Sequence, residues 1–330
     1  MMDVGKSSTG LKKSMNKILV VTDNLRTQIN GVVTTFRNIE NHAMADGFSV
    51  VYLDPGQFPH CSAPGYPEVK ISWPWGISKK IKEIQPDFIH IATEGPIGLF
   101  ARWWCERNNY RYNTSYHTDF PKFLKKMYYL PESLTYWYLR WFHKNSHQVL
   151  VTSHTMRAIL QLHKLVNLKV WTRGVDRSIE PSEPRRDRKK PIVLSVGRVS
   201  VEKGLADLQG LDRDYSLIVV GDGPYMAELK QIIPNAKFAG YKSGQELIDY
   251  YHQADVFVFP SRADTFGLVI IEAMAQGTPV AAYPVQGPID IISPGINGIM
   301  SNDIRDAVKR CLALNRSTVS TSSQRWTWDN

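Results

Sequence analysis

The sequence predicts an α/β protein built of two Rossmann-like domains, each with a parallel sheet. Three observations lead there. At 330 residues the chain exceeds the comfortable size of a single core and fits two domains of ordinary length. Short β-branched runs alternate with amphipathic stretches, the pattern of βαβ units. The alternation also falls into two series, separated by a stretch without apolar periodicity that carries Pro181, Pro184 and a basic run from Arg185 to Lys190.

The first series follows a polar start, residues 1–14, which reads as a disordered extension outside the fold. Strands are expected over Ile18 to Thr22, Ser49 to Leu53, Phe88 to Ile91, Arg111 to Ser115 and Gln148 to Val151. Helices are expected over Val33 to Asp46, Gly76 to Glu83, Ile97 to Asn108 and Leu134 to Lys144. These make a first domain over 15–175, with 176–190 as linker. The second domain, 191–300, opens at Ile192 to Gly197. It continues through strands at Leu217 to Gly221, Ala236 to Phe238, Val256 to Phe259 and Val280 to Ala282, with helices between them. Residues 301–330 form a closing segment that could return to the first domain. No close internal repeat or low-complexity tract is present.

Composition narrows the function. Hydrophobic residues at 43% and charged residues at 22% are ordinary globular values. Cys61, Cys105 and Cys311 are far apart and lack metal-ligand spacing, so they read as reduced, buried thiols of a cytoplasmic protein. No apolar run approaches the roughly 18 to 20 residues of a spanning helix, and the start is too polar for a signal peptide. The net charge of +9 is uneven: up to Lys190 there are 28 Lys+Arg against 16 Asp+Glu, giving +12, and beyond it 12 against 15, giving −3. A basic half suggests an anionic partner such as phosphates, a membrane surface or nucleic acid.

The most informative stretch runs from Phe259 through Pro260, Asp264, Thr265, Phe266, Gly267, Leu268 and Glu272 to Val280. A strand ends at Pro260, a turn follows, and a helix begins near Phe266. Free N–H groups and the positive end of the helix dipole then face outward, a site suited to a diphosphate. Asp264 precedes the helix and Glu272 lies about a turn and a half inside it, so the two carboxylates stand at different depths. One can hold sugar hydroxyls and the other a ribose. A second constellation, Gly197-Arg198-Val199-Ser200-Val201-Glu202-Lys203-Gly204, places two cations five residues apart across a loop, where a departing diphosphate would need its charge neutralised.

The first stretch, read as D-x7-E, resembles the E-x7-E motif of the large family of retaining GT-B glycosyltransferases. The second is similar to that family's G-R-x-x-x-E-K-G motif. Asp264 followed by Thr-Phe-Gly resembles the branch of GDP-mannose-dependent α-mannosyltransferases and glycolipid glycosyltransferases. Gln28 to Val33, with Gly31 and Val32, is similar to the family's glycine loop, and Gly31 lets a backbone approach phosphate closely. His117, after a predicted strand and so at the carboxyl edge where open α/β sheets bind ligands, matches an H-T-x-F segment whose histidine contacts the donor sugar. Shorter matches are Val170 to Asp176 with R-G-V-D, Val219 to Pro224 around Gly221, and Phe238 to Tyr241 as the base-binding strand and loop.

The resemblance implies a GT-B fold, with two Rossmann-like domains facing each other across a cleft. It implies transfer from a UDP- or GDP-sugar with retention and no required metal or cofactor. Arg198 and Lys203 would stabilise the departing diphosphate, His117 and Asp264 would position the sugar, and Glu272 would orient the donor. Gly31, Val32, Gly197, Gly221, Tyr241, Thr265, Phe266, Gly267 and Leu268 would line the donor.

Asp212-Arg213-Asp214 spells a metal-binding DxD but reads as an exposed turn before a strand. Lys122, Lys125, Lys126, Arg140 and Lys144 lie among aromatics in a tract able to meet an anionic acceptor, either a membrane lipid or glycan or a hydroxylated base in DNA. No obligate protein partner is indicated, and the location expected is cytoplasmic, peripheral on the inner membrane surface. Two rivals are an epimerase or hydrolase of nucleotide sugars on the same fold, and a non-catalytic nucleic-acid-binding module. The latter leaves Arg198, Lys203, Asp264 and Glu272 unexplained.

Overall fold

The computed structural model describes residues 15–26, 31–63, 66–117, 119–175, 189–262 and 264–328. The expected extension 1–14 and most of the expected linker lie outside those residues. Two compact units are formed: one from the described residues of 1–28 and 36–112, the other from those of 29–35 and 113–330.

Strand β1 (Asn16–Val21) pairs in parallel with β2 (Phe48–Leu53). An antiparallel hairpin follows, β3 (His60–Ala63) with β4 (Tyr66–Ser72). Then come β5 (Phe88–Ile91), which pairs with β1, and β6 (Tyr112–Tyr116), β7 (Val149–Val151) and β8 (Leu168–Val170), giving the sheet order β2-β1-β5-β6-β7-β8. Leu19, Val21, Leu53 and Ile91 are fully buried, as strands covered on both faces require. The helices between them are α1 (Gly31–Ala45), α2 (Ile77–Ile84), α3 (Pro96–Arg107), α4 (Phe120–Tyr128), α5 (Glu132–His143) and α6 (His154–Leu162).

The second sheet contains β9 (Ile192–Val196), β10 (Ser216–Val220), β11 (Lys237–Gly240), β12 (Val256–Phe259), β13 (Val280–Ala282) and β14 (Gly298–Met300), in the order β11-β10-β9-β12-β13-β14. All its pairs are parallel. This is the doubly wound order, whose strand sequence reverses between β9 and β12. Successive residues face opposite sides, so Val193 and Val258 belong to one buried cluster while Leu194 and Phe257 belong to the other. Its helices are α7 (Leu211–Asp214), α8 (Met226–Ile232), α9 (Gly244–Gln253), α10 (Leu268–Ala275), α11 (Pro288–Ile291), α12 (Ile304–Cys311) and α13 (Arg316–Ser322).

The closing segment packs on the second sheet. Buried Arg316 donates to the carbonyls of Ala254, His252 and Gln276, tying α13 to the ends of α9 and α10. Beyond it Trp326 meets Phe266 edge to face at 5.5 Å, and its carbonyl accepts from Val175 N at 3.0 Å.

The predicted strands and helices are present with ends shifted by a residue or two, whereas the β3–β4 hairpin, β8 and β14 carry no counterpart among the predicted strands, nor α4 and α6 among the predicted helices. Two expectations are corrected. Asp212 is buried rather than in an exposed turn: its Oδ2 accepts from Asn235 N at 3.0 Å, so it caps local backbone, while Arg213 and Asp214 are exposed. Cys61 is exposed on β3, while Cys105 and Cys311 are buried, with thiols pushed up to about 12 by burial. Among the described residues no helix is long and apolar enough to cross a membrane.

Candidate active site at the switch point of the second sheet

Ligands of open α/β sheets bind beyond the carboxyl ends of the strands where the strand order reverses. Here those ends belong to β9, which leads into Gly197-Arg198, and to β12, which leads into Pro260 and Asp264. Gly197 and Gly221 have positive φ, +148° and +135°, and a Cβ on Gly221 would stand 1.8 Å from the Gly197 carbonyl oxygen. The loops after β9 and β10 are therefore in backbone contact, which Gly197 N→Val220 O and Val199 N→Asp222 O reinforce. Gly204 (φ +66°) also lies against Pro260, where a Cβ would be 2.5 Å from the carbonyl oxygen. That approach brings Lys203 to the β12 loop: Lys203 Nζ donates to Asp264 Oδ1 at 2.6 Å, the two side chains being 29% and 22% exposed. Arg198 is exposed. Asp264 Oδ2 is buried without a partner, leaving an acceptor for a ligand hydroxyl.

Helix α10 begins at Leu268, and its N-cap, Gly267 (φ +95°), provides no side chain to satisfy the first N–H groups. Gly287 packs under this turn, a Cβ there being 2.7 Å from Phe266 O and 3.2 Å from Asp264 O. The Phe266 ring is buried in the core, so this residue offers a ligand only backbone. Leu268 is half-buried. Glu272 points toward α9: Tyr251 Oη donates to its Oε2 at 2.8 Å. Burial raises the Glu272 carboxyl above the usual range, opposed by the Tyr251 hydroxyl. Tyr241, at the end of β11, is 50% exposed.

His117 joins this loop through its backbone, its carbonyl accepting from Thr265 Oγ1 at 2.6 Å. Its ring is buried and both ring nitrogens are engaged. Arg173 Nη2 lies 2.5 Å from Nδ1, and Ser115 Oγ lies 2.8 Å from Nε2. A guanidinium can only donate, so Nδ1 is the acceptor and the proton resides on Nε2. The imidazole expected to meet the donor sugar is thus bonded within the protein. Arg173 in turn lies over the Trp171 ring at 4.9 Å. Sequence reasoning passed over Arg173, Trp171 and Ser115 as catalytic or binding candidates. The available signal was an arginine in a short strand-to-loop match, where it stands three residues before Asp176.

The remaining candidates are dispersed. Gly31 begins α1 exposed and Val32 is half-buried. Asp23 accepts from Ile97 N and Thr93 Oγ1 at 2.8 and 2.7 Å, occupying the N-terminus of α3. Lys122 pairs with Asp119 at 2.8 Å and Lys125 with Glu132 at 2.9 Å, so local carboxylates offset two cations of the expected anionic surface. Arg140 is half-buried, with its Nη1 3.4 Å from His163 O, and Lys144 is exposed. The Lys126 side chain lies outside those described. Among the described residues no three His, Cys, Asp or Glu side chains gather as a metal site would need.

Comparison with known proteins agrees with this architecture. Residues 29–179 match the model of Glycosyltransferase Family 4, and residues 176–313 that of Glycosyl transferases group 1. A GDP-mannose-dependent alpha-mannosyltransferase of Corynebacterium glutamicum is 28% identical, over 86% of this chain and 76% of its own. An alpha-monoglucosyldiacylglycerol synthase of Streptococcus pneumoniae is 25% identical, over 88% of this chain and 75% of its own. Sucrose-phosphate synthase from Thermosynechococcus elongatus superposes with a TM-score of 0.75 at 20% identity, over 95% and 96% of the two chains. The chain belongs to the group 1 glycosyltransferases of GT-B fold, enzymes that move a sugar from a nucleotide-sugar donor to an acceptor.

Proposed function

We propose that this enzyme transfers a hexosyl or pentosyl group from a GDP- or UDP-sugar, with retention and without a metal, to an anionic acceptor at a membrane surface. It acts from the cytoplasmic side and needs no obligate protein partner. The observation that carries the donor half is the Lys203–Asp264 pair, set beside the uncapped N-terminus of α10. A diphosphate leaving group drawn to that N-terminus meets N–H groups and a cation, with Arg198 as the second. Such preorganised charge is worth most where negative charge grows in the transition state. Asp264, through its unpartnered oxygen, and Glu272 take hydroxyls of the donor. The sequence-based division, a first domain over 15–175 and a donor-binding domain over 191–300, goes with this reading.

The acceptor half draws on α5. Leu134, Trp137 and Trp141, spaced i, i+3 and i+7, are 53%, 58% and 42% exposed, and Lys144 ends the same helix. Apolar and indole groups with basic neighbours suit the interface of an anionic bilayer, a better match than duplex DNA, whose contacts go largely to phosphate. The relative named for a diacylglycerol product agrees with this class of acceptor.

Radiolabelled GDP-mannose, GDP-glucose and UDP-glucose should each be offered with anionic liposomes carrying diacylglycerol, with hydroxymethylated duplex DNA, and with a neutral oligosaccharide. Label entering the lipid fraction, lost when Trp137 and Trp141 become serine, supports the proposal. Label entering DNA, or release of free sugar without any acceptor, overturns it.

A further inference from the structure

Three arginines are buried among the described residues: Arg102, Arg173 and Arg316, at 4%, 5% and 8% exposure. Two have the partners a buried cation requires. Arg102 pairs with the Glu106 carboxylate at 2.9 Å, and Arg316 donates to three carbonyls. Arg173 has neither. One nitrogen donates to the neutral imidazole of His117, the guanidinium lies over Trp171, and Nη1 is buried with no partner. Burial perturbs it, lowering its pKa to about 9, and no carboxylate among the described residues counters the effect. An uncompensated buried charge is among the most destabilising features a fold can carry. It persists where a ligand supplies the missing charge.

Its position is held firmly. Gly174, the next residue, is pressed against the closing segment, and a Cβ there would lie 2.5 Å from Trp328 N. Val175 N is bonded to Trp326 O at 3.0 Å. The far side of the His117 bond leads into the donor loop, because the His117 carbonyl accepts from Thr265, the neighbour of Asp264. Arg173, His117, Thr265 and Asp264 therefore form one connected set, in which His117 is a positioning residue for the guanidinium.

We propose that Arg173 is a further ligand-binding residue of this site, whose free Nη1 takes a phosphoryl oxygen of an anionic substrate, with His117 holding the guanidinium in place. The proposal rests on the nucleotide-sugar reading above and deepens it. Phosphoryl oxygen could come from the donor's diphosphate or from an anionic lipid headgroup. Planar guanidinium groups suit phosphate geometry better than lysine does.

The test uses the full chain with Arg173→Met and Arg173→Lys, and Lys203→Ala as reference. Calorimetric titration with UDP and with GDP reads the donor arm, and sedimentation with phosphatidylglycerol vesicles in the presence of the nucleotide reads the headgroup arm. Expected is a tenfold or greater loss of affinity for both Arg173 variants in one arm: the nucleotide arm assigns the donor, the vesicle arm the acceptor. Without ligand, the melting temperature of Arg173→Met should be unchanged or raised, since an unpaired charge has left the interior. Unaltered affinity in both arms overturns the proposal, as does a lower ligand-free melting temperature in Arg173→Met with nucleotide and vesicle binding intact in Arg173→Lys. Wild-type protein that binds neither nucleotide nor vesicles overturns the nucleotide-sugar reading as well, and so separates the two failures.

Discussion

Replacing Lys203 with alanine removes the cation that the structure places beside Asp264, and two free energies compete in the outcome. At 2.6 Å the gross Coulomb attraction would be about 6 kcal/mol with an effective dielectric near 20. Partial exposure of both side chains brings the net value of such pairs to about 0–1 kcal/mol. Stability should therefore change little, by about 2–4 °C in melting temperature at most. If Lys203 stabilises the departing diphosphate, its loss should slow turnover by about 10²–10³-fold, or about 3–4 kcal/mol. The catalytic effect then exceeds the stability effect severalfold. Initial rates with labelled donor, taken beside thermal melts of the same preparation, separate them. Asp264→Asn and the double variant complete a cycle that measures the coupling. Turnover within about threefold of wild type would refute the role given to Lys203. So would an activity loss explained by a melting temperature lowered by more than 10 °C.

Four further outcomes are expected. Glu272→Gln should weaken donor binding about tenfold in calorimetric titration, since a hydroxyl bonded to a charged acceptor loses about 1.5–3 kcal/mol; unchanged affinity would remove Glu272 from the donor site. Burial raises the Asp23 carboxyl to about 6, so the folded state binds its proton more tightly than the unfolded state does. That contribution to stability is full below about pH 4 and is lost as pH rises through 6, by at most about 3 kcal/mol; the fall in urea midpoint from pH 5 to 7 should be smaller in Asp23→Asn. Gly221→Ala puts a Cβ 1.8 Å from the Gly197 carbonyl at φ +135°, and its urea midpoint should drop by the equivalent of about 3 kcal/mol or more. Turnover should survive EDTA, and a loss restored by manganese would show that a metal takes part.

Much of the fold was legible because it rests on local periodicity. Runs such as Val256 to Phe259 and Val280 to Ala282 are apolar on both faces, as central parallel strands must be, and the turn between Pro260 and Leu268 follows from its residues. Lys203 and Asp264 were singled out as candidates through motif spacing. Their 2.6 Å contact was not, because it depends on Gly204 lying against Pro260, an approach between residues distant in the chain. Asp212 was misread for the same reason: a polar triplet before a strand looks exposed until Asn235 N is found bonded to it. The β3–β4 hairpin escaped because Pro64, Gly65 and Pro67 break the alternation that marks strands.

His117 shows the division best. The sequence by itself determined that a histidine follows β6 at the carboxyl edge of a sheet, and that Arg173 ends the first series. Only the tertiary structure decided that Arg173 fills one ring nitrogen and Ser115 the other, so that both are engaged within the protein. It also decided that Arg173 is buried with no anion beside it among the described residues. Which nitrogen is free, and which charge is unpaired, are properties of surroundings assembled from residues 115, 117, 171, 173 and 265. Desolvation acts through that assembled volume, and the order of residues along the chain carries no record of it.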